Sequence, residues 1–506
     1  MIKNTLLVTI CLVLSSVLGF VAQMVFVSSF GASGEMDIYF TLLSIPAVIT
    51  GISPMIFSSV LIPTFAKFKS NQLDLNKFIN SVWKFILIMA ILFTVIGVLF
   101  SLYNIDVFLS EIQDHLRYTA MQVSAMIWIG SGFIIMSSYL SAILQYNKNF
   151  FTVAWTSVLP ASFMITSVLV FHEKLGVRSI SLGFCMAFAL QFIIFFRASK
   201  ISLNFFSFSI KHIRYKKLLK QSCLVILSLL PFTALVPIAF YWASKLETGS
   251  VSYLGYSQSF AGFLSVATSM GVSIVSFPEL ADKFANKAGE SSLYKFEQKL
   301  RYVLLVAMFA AGAFIALRIP ILALFYLRGS FDVESIINLA CVVPWYLVAA
   351  VFVAGLNLLR NLFYSKGEFT YIARLGLIIP IVFFVLAGVL KEKYSFVGIG
   401  VAYALSVAFL FFMIVNYAKS KEERFLTNSF LLFMLKNAIS ITFASLIVTL
   451  SLPFVLKPTS DLGSIFIGAS LFTATYIVLA HLIFRMDETE EIRMNIIVKL
   501  KAFKYL

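Results

Sequence analysis

Phe85-Ile86-Leu87-Ile88-Met89-Ala90-Ile91-Leu92-Phe93-Thr94-Val95-Ile96-Gly97-Val98-Leu99-Phe100 decides the fold. From Phe85 to Ile105 the chain carries no charged side chain. That is the length of apolar helix, ~20 residues, needed to cross the hydrocarbon of a bilayer. Reading outward in both directions, apolar runs of this kind recur between charged or turn-rich stretches, and fourteen can be delimited between residues 5 and 484. Composition agrees. Hydrophobic residues make up 60% of the 506 and charged residues 12%, about half the charged fraction of an ordinary soluble domain. A soluble surface cannot be built from so few charges, so the expected fold class is an all-α polytopic membrane protein of about fourteen helices. The ninth run, 302–318, is interrupted by Arg318 and Pro320, which leaves 320–327 as a short re-entrant or surface helix.

The net charge of +16 would suggest nucleic acid in a soluble protein. Here the basic residues lie between apolar runs, and the expected partners are membrane lipids, with no nucleic acid. With the N-terminus in the cytoplasm, thirty of the 39 Lys and Arg fall on the cytoplasmic side, while the acidic residues divide almost evenly. This is the positive-inside pattern, and it puts both termini in the cytoplasm. The N-terminal run from Leu6 to Phe30 is too long for a secretory signal. Cys11, Cys185, Cys223 and Cys341 all lie inside apolar runs without metal or disulfide spacing and read as small packing residues.

The longest basic loop separates the sixth run from the seventh. Chain organisation is therefore read as an N-terminal lobe over 1–200, a basic cytoplasmic linker over 201–220, a C-terminal lobe over 221–420, and two further helices with a cytoplasmic tail over 421–506. The two lobes of six helices look like copies. Tyr146-Asn147-Lys148-Asn149-Phe150-Phe151-Thr152 and Tyr364-Ser365-Lys366-Gly367-Glu368-Phe369-Thr370 agree at four of seven positions. Repeats of six helices share one orientation and imply a pseudo-twofold axis along the membrane normal, with a cavity between lobes.

No phosphate-binding loop, H-E-x-x-H motif or cysteine or histidine cluster appears, so neither an enzyme nor a bound cofactor or metal is expected. Polar residues inside the runs are the remaining signal, because hydrocarbon penalises them unless they face a cavity or a partner. Helix one carries Ser15, Ser16 and Gln23. Helix two opens with Asp37, carries Thr50, Ser53, Ser58 and Ser59, and is expected to break at Gly51 and Pro54, which with Pro46 and Pro63 makes it a gating element. Helix eight carries Gln258 and Ser259. Helix ten carries Asn357, Arg360 and Asn361 on one face by the i, i+3, i+4 rule. Ser16, Gln23, Asp37, Gln258, Ser259, Asn357, Arg360 and Asn361 are the candidate substrate-binding residues. Packing for the serines, helix capping for Asp37 and snorkelling for Arg360 are the alternatives.

Ser15-Ser16-Val17-Leu18-Gly19-Phe20, then Phe30-Gly31-Ala32 and Asp37, resembles the opening of the MviN/MurJ flippase family, S-R-V-L-G-F…F-G-A…D. Arg328-Gly329-Ser330-Phe331 is similar to its G-x-F element, and Phe363-Tyr364-Ser365-Lys366-Gly367-Glu368 to its F-Y-S/A-x-x-D stretch. The resemblance implies two six-helix lobes plus two C-terminal helices forming a groove for a polyprenyl tail. It also implies a flippase that moves an undecaprenyl-pyrophosphate-linked glycan to the outer leaflet of the bacterial inner membrane by alternating access. That glycan is lipid II or a capsule or O-antigen unit. Coupling to protons or sodium and partnership with glycan-assembly enzymes stay open. The family's cavity arginines are missing: their positions hold Ser16, Ala22 and Ser259, and Val48 to Ile52 contains none. A cation-coupled multidrug exporter and a non-transporting scaffold are the rival readings.

Overall fold

The computed structural model describes residues 2–67, 72–103, 114–200, 215–265, 289–365, 369–421, 428–455 and 462–483. Residues 201–214 of the expected basic linker, the C-terminal tail and the second half of the run 251–278 fall outside the described residues. Residues 215–220, expected as linker, are already helical because Lys216, Lys217 and Lys220 are good helix formers.

Among the described residues every element is helical. They are α1 (Ile2–Phe30), α2 (Gly34–Lys67), α3 (Gln72–Tyr103), α4 (Asp114–Tyr146), α5 (Phe150–Thr156), α6 (Leu159–Leu175), α7 (Arg178–Ser199), α8 (Tyr215–Thr233) and α9 (Leu235–Ala243). Then come α10 (250–265), α11 (Gly289–Ala316), α12 (Arg318–Tyr326), α13 (Val333–Ser365), α14 (Phe369–Lys421), α15 (Asn428–Val455) and α16 (Leu462–Ile477), which ends in a π-helical turn, Val478–Ile483. Eleven described helices are long and apolar enough to span a bilayer, and the bent pair α8–α9 makes a twelfth. The 50-residue stretch Tyr371–Ser420 counts as one of these, yet it turns at Ser395, whose φ of 51° and ψ of −139° are not helical. Splitting it there and adding α10 recovers the expected fourteen. The protein is an all-α multi-pass membrane protein.

Two compact units emerge from packing. Unit 1 comprises Met1–Tyr256, Arg328–Asp332 and Phe369–Ile399; unit 2 comprises Ser257–Leu327, Val333–Glu368 and Gly400–Leu506. This division by packing does not follow chain order and runs through α10 and α14, whereas the six-helix repeat is a division of the sequence. In unit 1, α2, α3, α4 and α7 share a core of Phe65, Phe78, Trp83, Tyr139 and Phe195. The Trp83 ring stacks on Tyr139 at 5.8 Å, and the Tyr139 hydroxyl donates to the Ile79 carbonyl at 2.7 Å, as a buried phenol requires. In unit 2, α11, α15 and α16 are pinned by Asn437, which accepts from Tyr476 Oη at 2.8 Å. Arg301 pairs with Glu297 one turn away at 2.7 Å and donates to Ser429.

Two expectations need correction. α2 is continuous across Gly51 and Pro54. Pro54 removes only the one N–H that would bond the Thr50 carbonyl, and the turns on either side keep helical geometry. Hydroxyls of the same helix bond back to other carbonyls, Thr50 to Pro46 at 3.1 Å, Ser53 to Ile49 at 2.7 Å and Ser58 to Pro54 at 2.8 Å. Of the cysteines expected to be packing residues, Cys11 and Cys185 are partly buried, but Cys223 and Cys341 are exposed. On a bilayer-facing helix a thiol is simply a small apolar group. The segment after Arg318 forms a separate nine-residue helix, α12.

Two of the turns between helices share a backbone conformation. Gly176, between α6 and α7, has φ 55° and ψ −138°, nearly the conformation of Ser395. These turns join helices five to six and eleven to twelve of the two proposed copies. In the first, Val177 receives a contact from the start of α2. In the second, Phe396 packs its ring 5.3 Å from Tyr253 at the start of α10.

Candidate functional site

The first turn of α2 is where unit 1 is tied together. Glu35 Oε2 accepts from the Val177 amide at 3.1 Å and so caps the start of α7. Two residues on, both Asp37 oxygens serve α10: Oδ2 accepts from Gly249 N at 2.6 Å, and Oδ1 from Ser252 N at 2.7 Å and Ser252 Oγ at 2.5 Å. The amides at a helix N-terminus lack intrahelical acceptors, and a carboxylate there satisfies them while meeting the positive end of the helix dipole. By sequence, Asp37 is a candidate ligand or a cap of its own helix. Its geometry is that of a cap on a helix more than 200 residues away in sequence.

The same junction needs glycine. Gly31 has φ +62°, and a Cβ on it would lie 2.5 Å from the Ser330 carbonyl oxygen; a Cβ on Gly329, at φ +57°, would lie 2.1 Å from that of Ser28. Ser330 N donates to Ser28 O at 2.9 Å, and Tyr256 Oη donates to Gly31 O at 2.7 Å. The F-G-A and R-G-S-F elements are therefore two sides of one seam in unit 1.

Ser16, Gly19 and Gln23 follow helical spacing and share a face of α1. Ser16 Oγ bonds back to Leu12 O at 3.0 Å. A Cβ on Gly19 would meet nothing within 4 Å, and the buried Gln23 Oε1 has no hydrogen-bond partner among the described residues. Ser15 points elsewhere and donates to Ser157 O at the α5–α6 break at 2.7 Å. Ala22, at a position of a missing arginine, is buried.

α2 presents an exposed strip unlike that of its neighbour. The α3 surface shows Phe85, Ile88, Ile91, Leu92, Val95 and Ile96, which suits lipid. On α2 the exposed positions are Ile49, Gly51, Pro54, Ser59, Pro63 and Ala66. Gly51 opens on space, where an added Cβ would meet no atom within 4 Å.

Unit 2 holds the other candidates. Gln258 and Ser259 are half-buried in α10, next to Ser257, whose hydroxyl is buried with no hydrogen-bond partner among the described residues. Asn357 and Arg360 do share a face of α13, since Arg360 Nη2 donates to Asn357 Oδ1 at 3.0 Å. The Asn361 side chain lies outside the described residues. Lys84, a further basic residue that could meet a charged substrate, is buried in α3 beside Trp83. Sequence reasoning missed Glu35, Gly249 and Ser252, because nothing local marks a contact made across such a separation.

The family model described as lipid II flippase MurJ matches residues 26–469. The chain belongs to the MurJ family. It is 23% identical over 465 residues to the probable lipid II flippase MurJ of Buchnera aphidicola subsp. Baizongia pistaciae, with 90% of each chain covered. It is 25% identical to that of Borreliella burgdorferi, covering 82% of each. Its fold is similar to a solved lipid II flippase MurJ in an inward closed conformation, with TM-score 0.80, 19% identity, 95% of this chain and 99% of that one. An inward-facing MATE-family multidrug transporter also matches, with TM-score 0.62, 15% identity, 81% of this chain and 96% of the other. MurJ membership fits the seam just described, which is built from the residues that carried the sequence resemblance.

Proposed function

We propose that this MurJ-family protein is a flippase of the bacterial cytoplasmic membrane. It carries a polyprenyl-diphosphate-linked glycan from the inner to the outer leaflet by alternating access, with both termini in the cytoplasm. The exposed strip of α2 carries the reading: beside an α3 surface of Ile, Leu and Phe, this face is mostly small, with Gly51, Pro54, Ser59, Pro63 and Ala66 besides Ile49, and suits a lining that a glycan headgroup can pass. Gln23, with an unmet buried acceptor, and Ser16 offer hydrogen bonds to sugar hydroxyls from α1. Within unit 2, Gln258, Ser259, Asn357, Arg360 and Asn361 are assigned to substrate binding, with Arg360 as the charge that meets a diphosphate. Asp37 acts by holding α10 at the seam that has to part for release.

Lipid II is the first substrate to test. Expression in cells depleted of their own lipid II flippase should restore growth. Failure to do so, with normal membrane insertion, refutes lipid II as substrate. The missing arginines favour a second reading, a capsule or O-antigen unit, because neutral Ser16 and Ser259 bind phosphate more weakly than a bidentate guanidinium does. Loss of a surface polysaccharide on deletion, without a growth defect, would select it. Drug efflux without either phenotype would select the exporter.

A further inference from the structure

We propose that unit 1 carries a binding site for an anionic glycerophospholipid, built on Trp242 and the lysines Lys245 and Lys391. The indole is fixed in place: Nε1 donates to the Phe384 carbonyl at 3.0 Å, the ring lies 4.9 Å from Phe384, and Gly388 leaves room for it against α14. Two ammonium groups reach it, one from the turn after α9 and one from α14. Lys245 Nζ is 5.1 Å from the ring centroid of Trp242 and 4.2 Å from that of Tyr241, and Lys391 Nζ is 4.8 Å from that of Trp242. The two cations are thus no more than about 10 Å apart across a ring that attracts each.

Neither lysine makes an ion pair among the described residues, although Glu247 and Glu392 are exposed nearby. Lys245 donates to the Tyr241 hydroxyl at 2.7 Å, and two like charges held near one another without a direct ion pair are stabilised by an anion such as a phosphodiester. The site sits where the chain turns at a span end, with α9 finishing at Ala243 and α14 turning at Ser395. Aromatic and basic residues at that level are headgroup anchors.

Acyl chains have a surface as well. Ile381, Val385 and Val389, at i, i+4 and i+8 of α14, are 66%, 57% and 64% exposed, and Lys391 follows Phe384 by two turns on the same helix. A phosphate at the lysines and an acyl chain on this strip place one lipid molecule along α14. A choline headgroup would bring a third cation to a ring already flanked by two, so phosphatidylglycerol is favoured over phosphatidylcholine.

The test is native mass spectrometry of the full chain released from bilayers of equal phosphatidylglycerol and phosphatidylcholine. The expected result is retained phosphatidylglycerol adducts severalfold over phosphatidylcholine, reduced at least threefold in K245A/K391A and preserved in K245R/K391R. K391Q, which neutralises a side chain that makes no hydrogen bond among the described residues, gives an intermediate loss and guards against misfolding of the double variant. Unchanged phosphatidylglycerol retention in both neutral variants overturns the proposal. So does loss of undecaprenyl diphosphate binding with phosphatidylglycerol unchanged, which would make the cluster part of the substrate path. No flipping is measured, so either result leaves the proposed transport function standing.

Discussion

Asp37→Ala is the most informative single change. It removes three hydrogen bonds accepted by one carboxylate and leaves the amides of Gly249 and Ser252 without that acceptor at the start of α10. A hydrogen bond to a charged group contributes ~1.5–3 kcal/mol, but loss of a whole cap costs only ~0.5–2 kcal/mol in water-accessible helices, where solvent takes over. Here Asp37 is half-buried and its three bonds converge on one helix start, so we take about 2–3 kcal/mol. On the proposal that the tie is made in one state of the transport cycle and broken in the other, at ~1.4 kcal/mol per tenfold its loss shifts that equilibrium by roughly 30- to 150-fold. The assay is labelling of Ala32→Cys by a membrane-impermeant maleimide, after Cys11, Cys185, Cys223 and Cys341 are changed to serine. Asp37→Ala should raise the labelling rate at least tenfold, and Asp37→Asn, which keeps one carbonyl acceptor, should raise it less. A rate within twofold of the parent, alongside a lowered melting temperature, would show a static cap and refute the latch.

Gln23→Leu should leave stability unchanged or raise it by about 1 kcal/mol, since it removes a buried acceptor with no partner; transport should fall, and a lower melting temperature with full transport would contradict the assignment. Ser395→Gly should raise the melting temperature, because a non-glycine residue at φ 51° stores ~1–3 kcal/mol of strain; thermal unfolding in detergent checks it, and destabilisation would refute it. Pro54→Ala restores a backbone donor in a helix already continuous, and should slow transport more than it lowers expression, read as complementation against membrane abundance.

How far α1 to α16 could be read in advance follows from the reach of each force. Transfer to lipid acts on consecutive residues, so runs such as Phe85–Ile105 announce their helices one at a time, and charge bias orders the loops between them. The likeness of Tyr146–Thr152 to Tyr364–Thr370 is likewise a matter of the sequence itself. On the α13 face, Asn357 and Arg360 were paired by helical spacing alone, and their hydrogen bond agrees. At Pro54 the sequence suggests a break, yet α2 is continuous, because losing one N–H from a long apolar helix leaves the rest of its hydrogen-bond ladder in place.

Span number, helical class and the polar positions of α1, α2, α10 and α13 are thus properties of the chain as written, because each depends on neighbours within a few turns. Which helix Asp37 caps, which glycines line its seam, and which two lysines share Trp242 depend on residues brought together from more than 140 positions apart. Those pairings arise only when packed helices select one another's surfaces, and they were decided by tertiary structure.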